Sequence, residues 1–157
     1  MATPSGRNSR AERPAEEPGE GGNVGEQDNP KAVPADTVRE ASKAMLQKQL
    51  YAIFTRAENG LGPVFACIED HLEFQVSLEE EGILFAAGPM WTDDEASWEG
   101  DGLVVIRAAN REEAVAIAQR DPMHTSGART FSVRPWMINE GRTTLRLDYS
   151  SQTFEII

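Results

Sequence analysis

The stretch KQLYAIFTRA, residues 48–57, limits the fold more than any other, because a strand made from it is apolar on both faces. Side chains alternate along a strand, so Leu50, Ala52 and Phe54 leave on one side while Tyr51, Ile53 and Thr55 leave on the other. Such a strand needs a covering layer above and below. ILFAAGP (83–89) and LVVIRAA (103–109) repeat the pattern and are expected to pair across the polar loop MWTDDEASWEGDG. A last strand, RTFSVRPWMI (129–138), sets Phe131, Val133 and Met137 against Thr130, Ser132, Arg134 and Trp136.

Helical spacing fills the gaps between strands. In VFACIEDHLEFQVSLEEEG (64–82), Val64, Ile68, Leu72 and Val76 or Leu78 recur on one face, and Gly82 supplies the stop. NREEAVAIAQRDP (110–122) opens with Asn110 as cap and Glu113 three residues on, the capping-box arrangement, and closes at Pro122. The order βαββαβ predicts an α+β fold of the ferredoxin-like kind, an antiparallel sheet with two helices on one face. Helices enough for one face leave the other to be covered by a second sheet, so the chain is expected to form a homodimer. Three segments follow: a tail over 1–43, the folded domain over 44–140, and an extended arm over 141–157. The tail mixes Pro, Gly, Glu, Ser and Asn with few large apolar side chains and is expected to be disordered. Within it, Asp36 and Thr37 are local capping signals for a short helix through Met45. The arm alternates Leu145, Leu147 and Tyr149, as an added strand reaching onto a partner subunit would.

A formal charge of −11 over 157 residues argues against a nucleic-acid surface, which needs clustered Lys and Arg. A single cysteine, Cys67, leaves no intrachain disulfide, and no apolar run has the length of a membrane span. With no apolar leader at the N-terminus, a cytoplasmic protein is expected. Positive charge is uneven: none lies between Arg56 and Arg107, whereas Arg107, Arg111, Arg120, Arg129, Arg134, Arg142 and Arg146 crowd the second half. An anionic small molecule would be drawn to that half.

DPMHTSGAR (121–129) gathers Asp121, His124 and Arg129 in one short segment. Arg129, with Arg134 from the polar face of the last strand and His124 beside it, fits an anion grip. An exposed loop carrying a surface ion pair explains the same residues. His71, one residue from Leu72, stands at the margin of the helical stripe, where a neutral imidazole can accept and return a proton near pH 7. A structural histidine bonded to the backbone is the competing reading. Trp91, Trp98 and Trp136 have the chemistry to wall a pocket for a ring, or to fill an interface. Cys67 reads as a small apolar filler, and the spacings among His71, Asp93, Asp94, Asp121 and His124 match no metal signature.

Three pieces in this order, DHLEFQVSLEEEGILFAAGPMWTDD, GDGLVVIRAANREEAVAIAQRDPM and VRPW, make the sequence resemble the YciI-like (YCII-related) family over roughly residues 49–137. That family belongs to the dimeric α+β barrel superfamily, with muconolactone isomerase-like proteins and a dehydrochlorinase of chlorinated hydroxyquinol breakdown. The resemblance implies such a barrel, and a catalytic pair of His71 and Asp121. With it goes the expectation of a lyase or isomerase that needs no cofactor or metal and acts on a small, anionic, ring-derived compound, for which the residues themselves offer Arg129, Arg134, His124 and Trp91 as binding groups. A binding or accessory protein with the same pocket is the alternative, and a structural oligomerisation module a third.

Overall fold

The computed structural model describes residues 31–156. The expected disorder of residues 1–30 lies outside them. In chain order the elements are α1 (Ala35–Ala41), β1 (Lys48–Ala57), α2 (Leu61–Ala66), α3 (Ile68–Glu80), β2 (Leu84–Pro89), β3 (Gly102–Ile106), α4 (Arg111–Gln119), α5 (Pro122–Thr125), β4 (Arg129–Ile138), β5 (Leu145–Asp148) and β6 (Thr153–Ile156). The short α1 starts after Pro34 without a side-chain cap, and Asp36 pairs with Arg39 instead.

The sheet has the strand order β2-β3-β1-β4, and each neighbouring pair is antiparallel. This overturns the expected ferredoxin-like dimeric α+β barrel: the sheet is open, with β2 and β4 as edges that meet no further strand among the described residues. Four strands subtend too little arc to close, since small barrels need about eight. The architecture is α+β, a small open antiparallel sheet with a few helices.

The barrel came from the family resemblance, whereas the two-sided apolarity of β1 and β3 asked only for a second covering layer. Leu50, Ala52 and Val105, on the face turned away from α3 and α4, are already buried within the single chain.

The opposite face carries the core. Tyr51 and Ile53 of β1, Val104 and Ile106 of β3 and Val133 of β4 pack against Leu78 of α3 and Ala114, Ile117 and Ala118 of α4. The start of α4 follows the capping pattern in part: the Asn110 side chain accepts from the Glu113 amide at 2.8 Å, while the Glu113 carboxylate takes the Ala109 amide, one residue earlier than a strict capping box.

The first helical segment departs more from expectation. It is two helices broken at Cys67, and the longer one, α3, buries His71, Gln75 and Leu78. Leu72, assigned inward by spacing, is more than half exposed, and of the alternatives Val76 and Leu78 it is Leu78 that is buried. The arm is a hairpin, with Leu145 opposite Ile156 and Leu147 opposite Phe154. No helix of the described residues is long and apolar enough to cross a membrane.

Candidate active site

Two short structures bring the site together. α3 turns the i and i+4 positions His71 and Gln75 toward the sheet. After α4, Pro122 does not simply end a helix: it opens the single turn α5, where its missing N–H costs nothing, and Asp121 is the N-cap. The Asp121 Oδ1 accepts the Met123 amide at 2.9 Å, which fixes the carboxylate on the side facing α3. Gly127, in the left-handed region at φ 75°, then turns the chain into β4 so that Arg129 enters as its first residue.

His71 and Asp121, fifty positions apart in sequence, are in direct contact, with Nδ1 at 2.8 and 2.9 Å from the two carboxylate oxygens. Only 8 % of His71 and 2 % of Asp121 are exposed. A carboxylate accepts, so Nδ1 holds the proton, and whenever the ring is uncharged Nε2 holds the lone pair. Gln75 Nε2 donates to Asp121 Oδ2 at 3.3 Å. Burial pushes the Asp121 carboxyl up, but the His71 hydrogen bond, the His71 charge and the Met123 amide outweigh it and hold it below the usual carboxylate range.

His71 lines a cavity of about 490 Å³ between α3 and the β2–β3 side of the sheet. Its remaining walls include Leu72, Gln75, Pro89, Trp91, Trp98 and Arg129. Its lining is mostly apolar with a few polar groups converging, the usual make-up of a small-molecule site. Nε2 of His71 makes no hydrogen bond among the described residues. Arg129 lies over the Trp98 ring, 5.7 Å from its centroid, and burial lowers its pKa while the Asp121 and Asp101 charges raise it. Its side chain has no ion pair or hydrogen bond among the described residues, and Nε is buried without a partner.

The residues singled out by sequence therefore divide. His71, Asp121, Arg129 and Trp91 meet at or beside the cavity. His124 does not line it: Nδ1 donates to the Ala118 carbonyl at 2.6 Å and the ring stacks on Phe131. Burial lowers the His124 pKa, which leaves it neutral at pH 7. Arg134 is exposed, and its position opposite Ala52 in the register sets it on the other face of the sheet. Asp94 is tied into its own loop by Thr92 and the Ala96 amide. Among the described residues, no three His, Cys, Asp or Glu side chains gather where one cation could be held.

Gln75 and Asp101 were missed. Gln75 was legible only as the residue one turn after His71, and its inward facing depends on the rotation of α3. Asp101 closes the loop by accepting the Ala57 amide at 3.2 Å and pairing with Arg56. The preceding Gly100, at φ +95°, admits this close approach, because a Cβ there would come 2.7 Å from that of Ala57.

The model of the YCII-related domain family matches residues 49–137. No curated protein matches the chain. Among solved structures, a 5-chloro-2-hydroxyhydroquinone dehydrochlorinase from Burkholderia phenoliruptrix, in complex with 2,5-dihydroxybenzoquinone, is similar at 20% identity and a TM-score of 0.46. That match covers 55% of this chain and 92% of the other.

Proposed function

This chain belongs to the YCII-related domain family, and from that premise we propose that it is a lyase or isomerase moving a proton on a small, anionic, ring-derived compound without a cofactor. The observation that carries the reading is the buried His71–Asp121 contact, whose ring lines a cavity that also holds a guanidinium with no ion pair among the described residues. In the proposed step Nε2 of His71 takes a proton from a substrate carbon, and the electron pair left behind moves into the ring system. Either a leaving group departs with it, or the proton returns at another carbon. Asp121 holds the tautomer that presents the lone pair and stabilises the imidazolium that forms. Arg129 pairs the substrate's anionic oxygen, and Trp91 covers the ring from the loop. Arg134 and His124 have no part in this reading.

The working unit is proposed to be a homodimer. Phe54 and Trp136 remain about two-fifths exposed on one face of the sheet, and the β5–β6 hairpin leaves Leu145, Leu147, Phe154 and Ile156 exposed.

The test is a panel of ring-derived carboxylates and phenolates incubated with the protein in D₂O and followed by proton NMR. Loss of a C–H signal, or release of a leaving group, that disappears in His71→Gln supports the reading. Ligands that raise the melting temperature yet show no exchange and no product would favour a binding or accessory protein.

A further inference from the structure

A residue that lines the cavity carries a second unanswered polar atom. Gln75 is 8 % exposed, and its Oε1 is fully buried with no partner among the described residues. Which end of the amide is oxygen is decided by chemistry. Turned round, it would set a carbonyl oxygen against the Asp121 carboxylate, so the NH₂ must face Asp121 and the oxygen must face away. Arg129, 6 % exposed, has the complementary deficit, an Nε donor with no acceptor among the described residues. Both residues line the same cavity. A ligand with only an anionic group would answer Arg129 and leave Oε1 unmet. A ligand that also carries a neutral hydroxyl answers both.

We infer that Gln75 is the specificity-determining residue of this cavity, its Oε1 accepting a hydrogen bond from a hydroxyl of a ring anion whose charged oxygen lies on Arg129. The substrate class narrows accordingly, to ring carboxylates or phenolates that keep one protonated hydroxyl. The same amide donates to Asp121, so filling Oε1 polarises the group and strengthens its hold on the carboxylate behind His71. This inference rests on the reading of Arg129 as the anion contact.

The experiment is isothermal titration of the full chain with benzoate and with 2-, 3- and 4-hydroxybenzoate. At least one hydroxybenzoate is expected to bind about tenfold tighter than benzoate, the worth of one well-made hydrogen bond. In Gln75→Met that preference should shrink to about twofold or less while benzoate affinity, carried by Arg129, is largely kept. Arg129→Gln should weaken all the probes together. Where Gln75→Met does not fold, the Gln75 side-chain amide resonances of the wild-type protein serve, moving with the preferred hydroxybenzoate and staying still with benzoate. Equal affinities in the wild type, or a preference that survives Gln75→Met, overturn the role of Gln75 and leave the anion site standing if Arg129→Gln still weakens binding. Binding indifferent to Arg129→Gln, or none with any probe, removes the anion site and this inference with it.

Discussion

Because the Asp121 carboxylate accepts from both the Met123 amide and the His71 ring, its replacements should separate two roles. Asp121→Asn keeps an oxygen for the Met123 amide but can present an NH₂ to Nδ1 of His71, forcing the tautomer that has no lone pair at Nε2. Turnover should then fall by on the order of 10²–10⁴ with little loss of stability. Asp121→Ala removes the cap as well and leaves His71 unpartnered, a loss on the order of 3 kcal/mol that calorimetry would register. His71→Gln combined with Asp121→Asn should be scarcely slower than the worse single variant, since a pair acting as a unit is non-additive. Additive losses would separate their roles. His124 gives a residue-scale prediction about pH. Burial depresses its folded pKa below the unfolded value, so its stabilising contribution is present above the unfolded pKa and is lost as pH falls through it toward the folded one. Asp121, also depressed, contributes in the same sense but below the ordinary carboxylate range. His124→Phe should therefore flatten the fall in melting temperature below about pH 6.5, leaving the more acidic limb in place. An unchanged profile would assign that fall to other groups.

At the scale of elements, the start of α4 and the entry to β3 are the points where one residue holds a geometry. Asn110→Ala should cost about 1 kcal/mol, the worth of an N-cap, because the Glu113 amide loses its acceptor. Gly100→Ala should cost more, since its Cβ meets Ala57 and its φ of +95° is strained for any L side chain. Thermal melts of the two variants would rank them, and a harmless Gly100→Ala would mean that the loop shifts freely. The cap of α4, the strand segments and the stop at Gly82 were legible because each depends on neighbours a few residues away. The rotation of α3 was not. Spacing favoured the stripe Ile68, Leu72 and Val76 or Leu78, and of these α3 buries Leu78 together with the polar His71 and Gln75. Polar side chains can face inward once Asp121 arrives from a remote segment to partner them, and no local pattern announces that partner.

For the whole molecule, the open sheet leaves two edges, and one face keeps Phe54 and Trp136 partly exposed. A two-stranded hairpin such as β5–β6 is marginal by itself in water. Its exposed Leu145, Leu147, Phe154 and Ile156 would gain from burial against another copy. The homodimer proposed above should therefore be visible by light scattering at micromolar concentration. Trp136→Asp or removal of residues 143–157 should shift it toward monomer. A monomeric wild-type chain would remove the dimer from the proposal while leaving the His71–Asp121 contact, which lies within one chain, unaffected.

The sequence by itself determined the order of the main strands and helices, the cap of α4, the stop at Gly82 and the candidacy of Arg129, because alternation, helical spacing and capping are short-range effects. It named His71 and Asp121 as a pair only through family resemblance. That they touch, that Gln75 stands behind them, that His124 and Arg134 lie elsewhere, and that the sheet stays open were decided by tertiary structure. Each depends on how α3, α5 and β4 pack across a sheet whose neighbours are remote in the chain. Contacts between segments fifty residues apart are selected by the packing of the whole, which no local period encodes.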